Sequence, residues 1–239
     1  MAESRREFLA AAAVAGLLPW NWFRRAPGIA GIRFRRVRRT GARRYIHIHG
    51  NERTAHDTLV AHLDAARGDA FFIRSDERNV TAAGLTVDPN RIWSRVGAER
   101  SLRNLNKDHS SVEKALRRID SDRDAFLKSL LPRDGNLLIA LHNNGPGYSV
   151  QDEVPISDGV ALNNAAHPDE FILCTMRADF DVLSAGPYNV LLQQKPPGED
   201  DGSLSRLCAA RNVRYVNIEA AHDNAAAQRA MLDWVERTI

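Results

Sequence analysis

A chain of 239 residues, 44% hydrophobic and 26% charged, is long enough for one sizeable core and too short for two full domains; its composition excludes a disordered or fibrous chain. The net charge of +3 is unevenly placed. Eleven of the 33 basic residues but only two of the 30 acids lie within residues 1–44, so residues 45–239 carry 22 basic and 28 acidic groups, a net of −6. A nucleic-acid-binding domain wants a basic patch on the folded body, and this distribution argues against one.

The chain opens with Ser4-Arg5-Arg6-Glu7-Phe8-Leu9, followed by a weakly apolar stretch from Ala10 to Leu18. A charged segment before a short apolar one is the build of an export signal. The form S-R-R-x-F-L resembles the twin-arginine signal, which is read by a receptor. That resemblance implies the twin-arginine machinery as a partner and a periplasmic or other extracytoplasmic location. The stretch falls short of the roughly 20 apolar residues of a spanning helix. No clean A-x-A follows it, so the segment is either removed or kept as an anchor, and membrane contact is expected through it alone. Residues 1–30 are therefore set apart, and 31–239 are read as a single domain.

Within the body, Ile32-Arg33-Phe34 and Tyr45-Ile46-His47-Ile48 read as strands flanking the turn signal Thr40-Gly41. The intervening arginines read as the solvated face of an edge strand. Residues 52–67 carry Ala55, Leu59, Leu63 and Ala66 at helical spacing, closed by Gly68. Ala70 to Ile73 is a short strand, and residues 109–131 a long helix. Leu137 to Leu141 is a continuous apolar run typical of a buried strand. Further strands are expected at 171–174, 190–192 and 215–218. Helices are expected at 177–185, 203–211 (Ser203 as N-cap) and 223–238 (Asp223 as N-cap). Residues 196–202 are a polar loop. Strand and helix alternate, which predicts a three-layer α/β/α fold with a mainly parallel, mixed central sheet. Cys174 and Cys208 are either one disulfide or two small buried side chains.

A catalytic zinc takes three protein ligands and keeps one position open. His49-Gly50-Asn51-Glu52 places a histidine at a strand end and a carboxylate at the start of the next helix, where both can converge on one ion. His142, at the end of the run 137–141, supplies a third ligand. Sites in parallel α/β sheets form at the carboxyl ends of strands, and Glu219 ends the apolar strand 215–218 at the same rim, where it can act as general base. Asn90-Arg91 presents amide and guanidinium donors together, suited to a substrate carboxylate. His47 falls two residues before His49 and is read as a packed core histidine, with lining of the site as the alternative. His222, three after Glu219, is a candidate supporting residue.

His49-x-x-Glu52, Asn90-Arg91, His142 and Glu219 follow the order and rough spacing of the zinc metallocarboxypeptidase superfamily. The strings HGNE (49–52), DPNRIW (88–93), LHNN (141–144) and NIEA (217–220) most resemble its aspartoacylase and succinylglutamate desuccinylase branch. The resemblance spans residues 45–239. It implies one zinc ion on His49, Glu52 and His142, Glu219 as base and proton shuttle, and Asn90 and Arg91 on the substrate carboxylate. It also implies a carbonyl-polarising arginine, for which Arg78 lies in the right region, and a substrate-side tyrosine, Tyr148 or Tyr188. The expected activity is hydrolysis of an amide bond next to a free carboxylate, in a small peptide or an N-acyl amino acid. Two departures stand out. Ala140 occupies the place of an acid that would support His142, and Glu219 is followed by one helix rather than a further β domain. A binding protein that kept the fold without the chemistry would lack Glu219 or a ligand, and all are present.

Overall fold

Strand and helix alternate along the computed structural model, which describes residues 28–65, 68–133 and 135–239. The export-signal stretch, Ser4 to Leu18, lies outside the described residues. In chain order the elements are β1 (Phe34–Val37), β2 (Arg43–His47), α1 (Arg53–His62), β3 (Gly68–Ile73), β4 (Val80–Ala82), β5 (Leu85–Val87), α2 (Arg95–Leu105) and α3 (Val112–Leu130). There follow β6 (Leu138–Asn144), α4 (Val150–Glu153), β7 (Gly159–Leu162), β8 (Phe171–Cys174), α5 (Arg177–Leu183), β9 (Asn189–Leu192), α6 (Leu204–Ala210), β10 (Tyr215–Ala221) and α7 (Ala225–Thr238). β4 and β5 form a small separate hairpin; the other eight strands make one sheet in the order β1-β3-β2-β6-β10-β8-β9-β7.

Side chains along the strands point alternately to two cores. Ile46, Phe71, Leu138, Phe171 and Tyr215 join Leu102 of α2, Leu116 of α3 and Leu204 of α6. Tyr45, Phe72, Ile139, Ile172 and Val216 join Leu59 of α1, Leu183 of α5 and Leu232 of α7. Burial on both faces explains why residues 137–141 read as an unbroken apolar run. It also separates the cysteines: Cys174 lies in the core with α1, α5 and α7, and Cys208 in the other, each a free, buried thiol. The sheet stands between them, so the disulfide alternative is wrong, and burial pushes both thiols well above their ordinary range.

The sheet is mixed. Parallel order runs through β3-β2-β6-β10, but β8 is antiparallel to β10, and the edge strands β1 and β7 are antiparallel to their neighbours. The reversal falls at one connection: residues 163–170 join β7 to β8 without a crossover helix, and β8 returns opposite to β7 and so opposite to β6 and β10. β1 and β2 flank a turn yet do not pair; each pairs with β3. β1 is an edge, as its arginines suggested, with Arg33, Arg35, Arg38 and Arg39 exposed.

Several boundaries move. α1 stops at His62, and Gly68, at φ +150°, opens β3 instead of closing the helix. α7 is capped by Asn224, whose Oδ1 accepts from the Ala227 amide at 3.1 Å, not by Asp223. α6 has the expected cap, Ser203 accepting from Arg206 N. The loop at 196–202 is held down, with Arg206 donating to the carbonyls of Pro196 and Pro197 at 2.7 and 2.6 Å. No described helix is long and apolar enough to cross a membrane.

Candidate metal centre

Because β2, β6 and β10 are parallel, their carboxyl ends meet at one rim, where His142 and Glu219 are register partners. Beyond β2 the chain turns sharply through Gly50, whose amide donates to Glu77 O at 3.1 Å. A Cβ there would sit 2.0 Å from Ser75 O, so only glycine permits this approach. The turn leaves His49 on one side and makes Glu52 the N-cap of α1.

An N-cap side chain ordinarily accepts from the first turn of its own helix. Glu52 makes no such bond. Asn143, the residue after His142, does so instead, its Oδ1 accepting from Ala55 N at 2.7 Å. The same amide donates to Gln228 Oε1 at 3.0 Å and to Ala220 O at 3.3 Å, while Gln228 Nε2 donates to His142 O at 2.8 Å. This buried network ties α1, β6, β10 and α7 together and releases the Glu52 carboxylate for the histidines.

Glu52 Oε1 is 2.8 Å from His49 Nδ1, and Oε2 is 3.1 Å from His142 Nδ1. His49 Nε2 is 2.8 Å from Asp88 Oδ1, whose other oxygen faces Arg78 at 3.9 Å. Burial draws the His49 imidazole down, but Glu52 and Asp88 outweigh it and raise it to about 9. Burial pushes Glu52 up, and His142 and His49 more than reverse that, holding it well below the usual carboxylate range. Burial likewise raises Asp88, but its bond to His49 prevails and leaves it at about 2.

The other expected residues gather around one cavity of about 490 Å³, lined among others by His49, Glu52, Arg78, Asn90, Arg91, His142, Tyr148, Glu219 and His222. Glu219 is buried and raised to about 7, mainly by burial and also by the Glu52 charge, against the pull of His142 and of the Asn217 amide at 3.0 Å. Arg78 reaches Glu52 Oε1 at 3.2 Å. Asn90 spends its Oδ1 on Trp93 Nε1 and Leu204 N, which leaves its NH2 group as the donor. Arg91 binds Asp201 at 2.8 Å through Nη1. Tyr148 donates to Glu153 Oε1 at 2.5 Å.

Tyr188 packs against Trp234 and does not line this cavity, whereas Tyr148 does. His47 is a packed histidine: it lies against Phe72 and His56, its Nε2 is 3.0 Å from Glu52 O, and burial draws it down to about 4. β2 ends at His47, so the two-residue alternation does not carry on to His49. Ala140 is wholly buried, and no described side chain bonds His142 Nε2. Asp88, Asn143 and Gln228 received no role from the sequence. The first two fall within the DPNRIW and LHNN strings, which gave them no role of their own; Gln228 belongs to no motif.

One ligand atom from each of His49, Glu52 and His142 lies within 4.8 Å of the others, and all three residues are buried. Two imidazole nitrogens and a carboxylate suit a divalent ion such as zinc. The Asp88–His49 contact is the carboxylate support that metal-bound histidines commonly have. His142 Nε2 is buried without a hydrogen-bond partner, and Glu52 Oε2, though 3.1 Å from His142 Nδ1, lacks hydrogen-bonding geometry. Buried acceptors are rarely left so, and a cation at Glu52 would supply what the carboxylate lacks. The donor set fits a metal.

No protein-family model matches the sequence, and no curated protein matches it. Among solved structures, the tripeptide-bound cell shape determinant Csd4 of Helicobacter pylori is similar at a TM-score of 0.47 and 13% identity, over 86% of this chain and 54% of that one. This chain thus spans about half the length of Csd4. A candidate metallopeptidase from Shewanella baltica is similar at a TM-score of 0.41 and 12% identity, over 90% of this chain and 85% of that one. Another, from Shewanella amazonensis, gives 0.40 and 13%, over 88% and 84%.

Proposed function

We propose that the chain is a zinc-dependent hydrolase that cleaves an amide bond next to a free carboxylate, in a small peptide or an N-acyl amino acid. The observation that carries this reading is the convergence of buried His49, Glu52 and His142, backed by Asp88, beside a buried carboxylate at Glu219. Zinc held by the three ligands would supply Lewis acidity, which polarises a carbonyl and makes water acidic enough to react near neutral pH.

The chain's own groups do the rest. Arg91 and the Asn90 NH2 group bind the substrate carboxylate and orient the scissile bond. Arg78 faces the scissile carbonyl oxygen and stabilises the negative charge that develops there. Glu219, raised to about 7, sits where one group can take a proton from the attacking water and return it to the leaving amine. Tyr148 stands beside the substrate, its hydroxyl exchanging Glu153 for a substrate acceptor.

The test is metal analysis of purified protein, then assay of N-acyl amino acids and of peptides with free C-termini. One zinc per chain is expected, with a rate loss of about 10²–10⁴-fold in Glu219→Ala at unchanged metal content. A protein without stoichiometric metal, or a Glu219 variant as fast as the parent, overturns the proposal. The export reading rests on the first 30 residues alone and has its own test: Arg5→Lys with Arg6→Lys should trap the protein in the cytoplasm, and unchanged export would refute it.

A further inference from the structure

A second cavity, about 740 Å³, adjoins the first and shares Asn144, Gly145, Pro146, Tyr148 and His222 with it. A third, about 490 Å³, adjoins from the other side through Arg78 and Arg91. The candidate metal centre is therefore the middle of a longer groove, with the guanidinium groups of Arg78 and Arg91 toward one end.

The opposite end carries the opposite sign. Asp169 and Asp223 line it, and no described cation pairs with either. They come together because β8 runs antiparallel to β10: its start, not its end, lies at the rim, with Phe171 in register with Glu219. Asn224 Nδ2 bonds Glu170 Oε1 at 2.5 Å and so fastens the turn holding Asp223 to the segment holding Asp169. A second observation points to a ligand. Asn144 is buried and lines both cavities; its Nδ2 donates to Asp169 O at 2.6 Å, but its Oδ1 has no hydrogen-bond partner. An unpartnered amide oxygen on a buried residue shared by two cavities lacks the N–H that such acceptors ordinarily have, and a ligand could supply it.

We propose that the cavity beyond Tyr148 is a subsite for the acyl side of the substrate, in which Asn144 accepts a backbone N–H and Asp169 and Asp223 select a positively charged amine. The inference rests on the hydrolase reading above and deepens it: the preferred substrate is a peptide bearing a cationic side chain on the acyl side of the scissile bond, not a short neutral N-acyl amino acid.

The experiment compares two peptides with free C-termini that differ only in having lysine or norleucine on the acyl side of the scissile bond. With zinc-loaded parent enzyme at low salt, kcat/KM should favour lysine by about 3–10-fold, and the preference should shrink as ionic strength rises. In Asp169→Asn/Asp223→Asn the lysine-to-norleucine ratio should fall to near one. Equilibrium binding of both peptides to zinc-loaded Glu219→Gln should show the same preference without turnover. A ratio near one in the parent, or one unchanged in the double variant, overturns the subsite and leaves the hydrolase reading standing. Failure of the zinc-loaded parent to cleave any peptide or N-acyl amino acid overturns both.

Discussion

The two histidines of the candidate centre are held in different ways. At the end of β2, His49 is gripped on both ring nitrogens, by Glu52 and by Asp88, each at 2.8 Å. At the end of β6, His142 has only Glu52 within ion-pair distance of its ring, and its Nε2 is bare. What fixes His142 is its backbone, held by Gln228, and the neighbouring Asn143, which braces α1. One ligand is thus supported through charge and the other through the neutral packing of its strand. With alanine at position 140, hydrogen bonds from the neighbouring strand and helices stand where a supporting acid would.

The difference can be broken at several points. Glu52→Ala removes the one group that touches both rings; zinc content should fall from one per chain to background, a larger loss than any supporting residue produces. Asp88→Asn strips charge from behind His49 and should weaken zinc binding about 10–100-fold in competition with a chelator, with the fold intact. If affinity is unchanged, the two histidines are not supported differently. Asn143→Ala should act the other way round, through stability. It removes the substitute cap of α1 and a buried bond to Gln228, costing about 1–3 kcal/mol, or roughly 2–12 °C in the melting temperature of metal-free protein.

A control lies at the opposite end of the sheet, where Glu236 accepts from Tyr45 Oη at 2.8 Å and meets Arg43 at 3.2 Å and His62 at 3.5 Å. Burial raises this carboxyl, but His62, Tyr45 and Arg43 outweigh burial and lower it. A depressed carboxylate contributes stability that is present above its unfolded value, about 4.5, and lost as pH falls through the folded one. The gap in melting temperature between parent and Glu236→Gln should therefore be present at pH 7 and close as pH falls from about 4.5 through the lowered folded value, with zinc binding untouched. A gap that widened in acid would refute the sign.

Much of the rim was legible because its residues stand at the ends of apolar runs. His142 follows 137–141 and Glu219 follows 215–218, so their place was set by the strands before them. Asp88 stood in the DPNRIW string, but its contact with His49, 39 positions away, was marked by nothing local. Asn143 was hidden because it caps a helix other than the one it precedes in sequence. The direction of β8 could not be read at all: a four-residue apolar run looks the same whichever way it lies. Short elements such as α4, β7 and the β4–β5 hairpin escaped for want of a full period. Tyr148 and Tyr188 were equivalent in sequence, and only packing separates them.

β10 is the last strand in chain order, yet it lies in the middle of the sheet, between β6 and β8. Until it inserts, the strands before it form two unjoined halves, each with an open inner edge able to pair with another chain. Its contacts with β6 span about 77 residues of chain (Tyr215 with Leu138), a long loop to close before any reward is gained. Synthesis therefore delivers Glu219 and the strand that joins the halves together, so this carboxylate reaches the rim in the same step that completes the sheet. A chain halted before Tyr215 would lack Glu219 and present those two open edges, which makes it prone to aggregate.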